Sequence, residues 1–240
     1  MKRPRLDEPE LVRAEYASEQ GLAGRASIYA TREGPDPIDA AFAAVGEAKP
    51  GRVLEVGGGT GALAERIVRE LGVELVGIDQ SERMVELQRA RGIDARLGDA
   101  AALPFPDGSF DCVVAAWMLY HVTDLDHGVA ELARVLRAGG RLVAVTNGPN
   151  HLAELWALVG VEPADRLHSF RCDTGEEVLG RSFGVVERRQ VPGHVDATHE
   201  DAVRYLTSSM IGKDLTARIA DFDGTLRVQT ENCVFVATKA

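Results

Sequence analysis

The chain has only three cysteines in 240 residues, Cys112, Cys172 and Cys233. They are far apart, odd in number and in no metal-ligand spacing, so neither a disulfide framework nor a zinc site is expected. Cys112 and Cys233 fall in apolar, strand-like runs and read as buried small hydrophobes. A reducing cytoplasm is the expected setting. No apolar run reaches the length of a membrane span. Residues 1–10 are charged and Pro-containing, lack the apolar core of a secretion signal and read as a frayed tail, so no membrane partner is expected. A surplus of basic charge is also missing. The net charge of −10 argues against a nucleic-acid partner, because phosphate binding needs a basic face. The run Glu187-Arg188-Arg189 is too short to make one. His and Asp are scattered rather than clustered, so no required metal is expected. No internal repeat or low-complexity linker divides the chain. With 45% hydrophobic and 27% charged residues, it has the composition of one globular domain with a full core. A monomer or homodimer is the base expectation.

What is present is an alternation of strand and helix patterns. Residues 11–31 and 37–48 are weakly helical and separated by the breaker Gly34-Pro35-Asp36-Pro37. Apolar runs predict strands at 52–56, 74–79, 94–97, 110–115 and 141–146. Helices are predicted at 61–71, at 81–91 with Ser81 as N-cap, and at 124–136, stopped by Gly139-Gly140. Helices near 150–159, 174–182, 199–208 and 212–220 follow, with strands at about 185–191 and 225–238. Such alternation with short connections indicates a parallel sheet covered by helices on both faces. Residues 1–49, 50–148 and 149–240 then read as three parts of a single domain.

The most informative stretch is Val53-Leu54-Glu55-Val56-Gly57-Gly58-Gly59-Thr60-Gly61, an apolar strand running into a glycine turn with a helix behind it. Glycines there let a ligand approach the backbone closely, at the strand's carboxyl end where open α/β sheets bind nucleotides. The turn has two readings. Gly57-x-Gly59-x-x-Ala62, with Asp79 about 20 residues on, satisfies the dinucleotide fingerprint of nicotinamide-dependent oxidoreductases. Glu55-x-Gly57-x-Gly59-x-Gly61 satisfies another pattern, an acid followed by three glycines at alternate positions.

On that second pattern the chain resembles the class I S-adenosylmethionine-dependent methyltransferases. Asp79 ends the second strand, Met84 follows five residues later, and Gly98-Asp99-Ala100 ends the third strand. The segment from Leu103-Pro104-Phe105 through Phe110-Asp111 to Gly139-Gly140-Arg141-Leu142 is similar to the small-molecule, ubiquinone/menaquinone-type branch. The recognisable motifs cover about 50–148. The resemblance implies a Rossmann-like, doubly wound, seven-stranded sheet, mostly parallel with an antiparallel C-terminal strand. It implies S-adenosylmethionine as cofactor and S-adenosylhomocysteine as product. Gly57, Gly59 and Gly61 would line the amino-acid part of the cofactor, and Glu55 would face its ammonium. Asp79, with Gln80 beside it, would hold the ribose hydroxyls, Met84 would pack on adenine, and Asp99 and Ala100 would meet its amino group. Ala116 and Trp117 would meet the methionine moiety. Gly58 departs from relatives that carry Cys or another small residue, and glycine is expected to be harmless there. The N-terminal helices would fold over the cofactor as a lid, bringing Tyr16, Tyr29 and Arg25 near it.

Methyl transfer from a sulfonium needs mainly alignment and a dry pocket. For hydroxyl or amine acceptors a general base helps, and His is the commonest choice. His121, past the fourth strand, and His151, past the fifth, are the candidates. A small-molecule acceptor is expected in a pocket drawn from Phe42, Trp156, Leu158, Leu167, Phe170, Tyr205, Met210 and Ile211. The Ala, Arg, Gly and Val-rich composition suggests a GC-rich bacterial source. A cofactor-binding module without catalysis is the further alternative, since fold alone does not set function.

Overall fold

The computed structural model describes residues 6–166, 168–212 and 214–240. The first five residues of the expected tail, and Leu167, lie outside the described residues. The chain forms α1 (Pro9–Glu15), α2 (Gln20–Ser27), α3 (Pro37–Glu47), β1 (Arg52–Val56), α4 (Ala62–Leu71), β2 (Glu74–Asp79), α5 (Glu82–Ala90) and β3 (Asp94–Leu97). It continues through β4 (Phe110–Ala116), α6 (Leu125–Val135), β5 (Leu136–Asn147), α7 (Ala153–Ala157), α8 (Gly175–Gly180), β6 (Val185–Ala197), α9 (His199–Thr207) and β7 (Leu226–Thr238).

The strands make one seven-stranded sheet in the order β3-β2-β1-β4-β5-β7-β6. β1 to β5 pair in parallel, and β7 runs antiparallel to both β5 and β6. Each central strand is apolar at successive positions because both faces are covered. Leu54, Val113, Leu142 and Phe235 face one core layer, and their neighbours Val53, Val114, Val143 and Val234 face the other. A third cluster, with Leu152, Trp156, Val195, Leu206 and Val228, lies under α7 and α9. The chain reverses direction across the sheet between β1 and β4, which opens a crevice at their carboxyl ends.

Local chemistry sets several element ends. Ser81 caps α5 by accepting from the Met84 amide at 3.2 Å, and Asp124 caps α6 by accepting from His127 N at 3.1 Å.

Five expectations need correction. The tail expected to be frayed is tied down from residue 6 on, with Asp7 buried and α1 starting at Pro9. The helix at 11–31 is broken between Glu15 and Gln20 and ends in a 3-10 turn, Ile28–Thr31. Gly139-Gly140 does not stop α6, which ends at Val135; β5 begins directly at Leu136. The glycines instead form an irregularity in β5, whose register with β4 jumps from Phe110↔Leu136 to Cys112↔Arg141. Of the helix expected at 212–220, the described residues form only a 3-10 turn, Thr216–Arg218, and Lys213 lies outside the described residues. Finally, Cys172 and Cys233 are joined by a disulfide, with Cα atoms 5.5 Å apart across 61 residues of sequence. β7 threads between β5 and β6 and carries Cys233 to a loop held on β5, where Cys172 N donates to Asn147 O at 3.2 Å. Cys112 is a buried free thiol as expected. Among the described residues no helix is long and apolar enough to cross a membrane, and no three His, Cys, Asp or Glu side chains are grouped to hold a metal.

Candidate active site

The strand-to-helix turn after β1 is built on glycine conformation. Gly57 and Gly59 have φ of 66° and 55°, the left-handed region that side chains resist. The Gly57 amide donates to Ile78 O at 2.7 Å, which draws the loop against the end of β2. A cavity of about 1010 Å³ opens beyond this loop. Its walls come from the ends of β1, β2, β3, β4 and β5, and from the segment 6–38 that crosses over them.

Glu55 lies at the floor of this cavity. It is 1% exposed, and its Oε2 has no hydrogen-bond partner among the described residues. Burial, reinforced by the negative charge of Asp79, pushes its carboxyl up to about 7. An unpartnered buried carboxylate costs several kcal/mol, so this group either keeps its proton or awaits a donor. Gly58 is what makes room for it: a Cβ at position 58 would stand 2.1 Å from Glu55 Oε2. Glycine there is therefore more than harmless. Gly58→Ala is expected to destabilise the protein by about 1–3 kcal/mol, as overpacking does, and the cost should vanish in a Glu55→Ala background. A double-mutant cycle by chemical denaturation measures this coupling, and simple additivity would refute it.

Asp79 is 7% exposed at the end of β2. Its two carboxylate oxygens accept from Ser81 N at 3.0 Å and Gly59 N at 3.3 Å. Burial raises its pKa. Backbone donors do not use up the roughly four acceptor sites of the carboxylate, which leaves further capacity on a residue that lines the cavity. Gln80, Asp99, Ala100, Ala116 and Trp117 also line it. Asp99 accepts from Ala101 N at 2.9 Å. Trp117 adopts a left-handed φ of 53° and is fixed by Trp117 N donating to Val145 O at 2.8 Å.

Two predicted positions are not on the cavity wall. Gly61 caps α4 at φ 79°, where a Cβ would meet Gln88 Cγ at 2.8 Å. Met84 is fully buried behind the β2–α5 turn. Of the predicted pocket set, Trp156, Tyr205, Met210 and Ile211 reach the cavity. Phe42 instead lies under the Arg66 guanidinium, 4.2 Å from its ring centroid, and Phe170 packs on Phe235 in the core. Leu158 sits at the margin of the α7–α9 cluster. Arg25 bonds to Glu15, and to Ser208 O at 2.5 Å.

Both candidate histidines meet a tyrosine from the N-terminal segment. His121 Nδ1 is 2.7 Å from Leu6 O, and its Nε2 is 2.9 Å from the Tyr16 hydroxyl. A carbonyl only accepts, so Nδ1 carries the proton, and Nε2 accepts from Tyr16 O–H. Burial lowers the His121 pKa and raises that of Tyr16 to about 12, so both groups are neutral. His151 is 3% exposed; its Nε2 lies 2.8 Å from Tyr29 Oη, and its Nδ1 lies 3.1 Å from both Glu231 O and Glu231 N. These pairs span 105 and 122 residues of sequence, which is why neither partner was chosen from spacing. The crossing segment is tied down further by Ser81 Oγ donating to Tyr16 O at 2.7 Å and by the Arg83–Glu19 ion pair at 2.9 Å.

Comparison with known proteins agrees with this architecture. Residues 54–144 match the methyltransferase domain family. The chain is 42% identical over 110 residues to a demethylmenaquinone methyltransferase of Thermus thermophilus, covering 43% of this chain and 50% of that protein. It is 42% identical over 103 residues to a ubiquinone/menaquinone biosynthesis C-methyltransferase of Hahella chejuensis, covering 39% and 41%. The chain thus spans half or less of the length of these curated relatives. Among solved structures it resembles a SAM-dependent methyltransferase from Thermotoga maritima, with a TM-score of 0.60 at 19% identity over 95% of this chain and 99% of that one. That likeness is one of fold. With a matching core over residues 54–144, a sheet of this order and a cavity at the β1–β4 crevice, the chain is similar to the class I S-adenosylmethionine-dependent methyltransferases, of the ubiquinone/menaquinone-like kind.

Proposed function

We propose that the protein transfers a methyl group from S-adenosylmethionine to a small organic acceptor. The observation that carries this reading is the buried Glu55 carboxylate, with one oxygen unpartnered, beneath a loop whose glycines leave the backbone bare. That donor-poor, acidic floor fits an ammonium group, and the remaining acceptor capacity of Asp79 fits a pair of ribose hydroxyls. Gly57 and Gly59 would then border the amino-acid part of the cofactor. Gln80 would stand beside the ribose, Asp99 and Ala100 beside adenine, and Ala116 and Trp117 beside the methionine chain. Bound there, the cofactor supplies an electrophilic methyl on a sulfonium.

The chain's own part is alignment, exclusion of water and custody of a proton. The strap of α1 and α2 covers the crevice, and the Tyr16–His121 and Tyr29–His151 pairs hold it to the sheet edge. Neither imidazole offers Nε2 directly to the cavity, because a tyrosine hydroxyl occupies that position. In the proposed general-base route, an acceptor proton moves to the Tyr16 oxygen as the tyrosine proton moves to neutral His121 Nε2. His151 with Tyr29 is the second candidate for the same task. A cavity of about 1010 Å³ suits a metabolite-sized acceptor beside the cofactor. The curated relatives' names point to quinone-like acceptors, but their identity is confined to about two-fifths of this chain. A cytoplasmic monomer or homodimer belongs to this reading.

Isothermal titration with S-adenosylmethionine, S-adenosylhomocysteine and NADH tests the proposal. Saturable binding of the first two without NADH supports it. Binding of NADH alone overturns it and makes Asp79 a dinucleotide ribose ligand.

A further inference from the structure

The end of β5 carries a directed chain of hydrogen bonds that the cofactor site does not use. Arg32 Nη1 donates to Asn232 Oδ1 at 3.4 Å, and also to Thr230 Oγ1 at 2.9 Å. Asn232 Nδ2 donates to Asn147 Oδ1 at 2.7 Å. Trp117 Nε1, which can only donate, reaches the same Asn147 oxygen at 2.9 Å. Two donors therefore fix the orientation of the Asn147 amide, since a flipped amide would set N–H against N–H. Asn147 Nδ2 is left without a protein partner among the described residues, on a side chain that lines the cavity.

Every bond in this chain points the same way, from a guanidinium to a free amide. Arg32 is held at its source by Nε and Nη2 donating to Pro35 O at 3.0 and 2.8 Å. It makes no ion pair with a carboxylate among the described residues. The nearby Glu231 carboxylate is turned away to the Asn150 amide at 2.9 Å. Bonds in series polarise one another, so the positive charge of Arg32 strengthens the last donor.

We propose that Asn147 Nδ2 binds an ionised oxygen of the methyl acceptor, an enolate or phenolate, and that Arg32 polarises it through Asn232. The proposal rests on the methyltransferase reading for its substrate. Trp117 shares the Asn147 oxygen and stands beside the expected methionine moiety, so the bound oxygen belongs to the reacting group rather than to a remote handle. A donor at that oxygen favours the anionic, electron-rich form of the acceptor.

The test uses 4-nitrophenol, whose phenolate is followed by its visible absorbance, and 4-nitroanisole, the same ring without an ionisable oxygen. Both are titrated into the full chain with and without S-adenosylhomocysteine. The wild-type protein is expected to lower the apparent pKa of bound 4-nitrophenol. Asn147→Ala should weaken phenolate binding by about 10- to 100-fold, the effect of one hydrogen bond to a charged group. It should also abolish the probe's pKa shift and leave 4-nitroanisole binding unchanged. Arg32→Gln keeps Asn147 in place and should give a smaller loss, about threefold, in the phenolate alone. Equal phenolate binding and equal probe pKa in wild type and Asn147→Ala would overturn the proposal. So would a wild-type protein that takes up the anisole but not the phenolate. If Asn147→Ala does not fold, the Arg32→Gln comparison decides, and an unchanged phenolate affinity there refutes the relay. Failure of S-adenosylhomocysteine to bind counts against the methyltransferase reading, whereas the probe titrations without it still report on Asn147.

Discussion

Replacing Asp79 with alanine is expected to raise the dissociation constants for S-adenosylmethionine and S-adenosylhomocysteine by about 10²- to 10⁴-fold. Two hydrogen bonds to a charged carboxylate contribute about 1.5–3 kcal/mol each, and 1.4 kcal/mol is tenfold in affinity. The protein without cofactor should lose far less. Burial works against the Asp79 carboxylate, and removing it relieves that cost while leaving the Gly59 and Ser81 amides without their acceptor. The two effects separate in a melting experiment. The midpoint of the ligand-free variant should stay within a few degrees of wild type, and the upward shift caused by saturating S-adenosylhomocysteine should disappear. A variant that keeps that ligand-induced shift would remove Asp79 from the site.

The second large effect concerns Glu55 and pH. Its carboxyl titrates near the ordinary 4.5 in the unfolded chain and at about 7 when folded. Between these values the folded protein holds a proton that the unfolded chain releases. Its contribution to stability is therefore complete below about pH 4.5 and is lost as pH rises through 7. The total is of order 3 kcal/mol at 1.36 kcal/mol per pKa unit. Glu55→Gln should flatten this part of the ligand-free stability profile, measured by urea denaturation from pH 4.5 to 8. Cofactor binding acts in the opposite sense. An ammonium donor at Oε2 favours the carboxylate, so binding near pH 6.5 should release up to about one proton and tighten as pH rises toward 8. Titration calorimetry in buffers of different ionisation enthalpy counts that proton. Equal heats in all buffers, together with a pH-independent affinity, would show that no ligand group meets Glu55.

The legible part of this chain was the part written locally. Five apolar runs, four of them followed by a helix signal, placed β1 to β4 within a few residues of their observed limits, and β5 except for its first five residues. Ser81 announced its cap because capping depends only on the next three residues. Glu55, the glycine turn and Asp79 were readable because a strand, a turn and a strand end hold them in fixed sequence order. Long-range pairings were not. No periodicity links Tyr16 to His121 or Tyr29 to His151, so both tyrosines are expected near the cofactor as lid residues but not as partners of the histidines. The same blindness hid the Cys172–Cys233 bond, which exists because β7 inserts beside β5. Gly139-Gly140 misled for a different reason. A glycine pair after a helical pattern serves equally as a helix stop and as an irregularity in a strand, and only the pairing of β4 with β5 decides.

The place of β7 has a consequence for how the molecule comes into being. β7 is synthesised after β6 yet lies between β5 and β6, so β6 has no sheet neighbour while the ribosome is still making the intervening chain. The pairings of β1 with β2 and β4, and of β2 with β3, need nothing beyond residue 116. Domains emerge in synthesis order, and here a single domain does so by halves. The crevice for the nucleoside is drafted early. The wall proposed for the acceptor, where Asn232 of β7 orients Asn147 of β5, is finished only when the last strand slides into its slot.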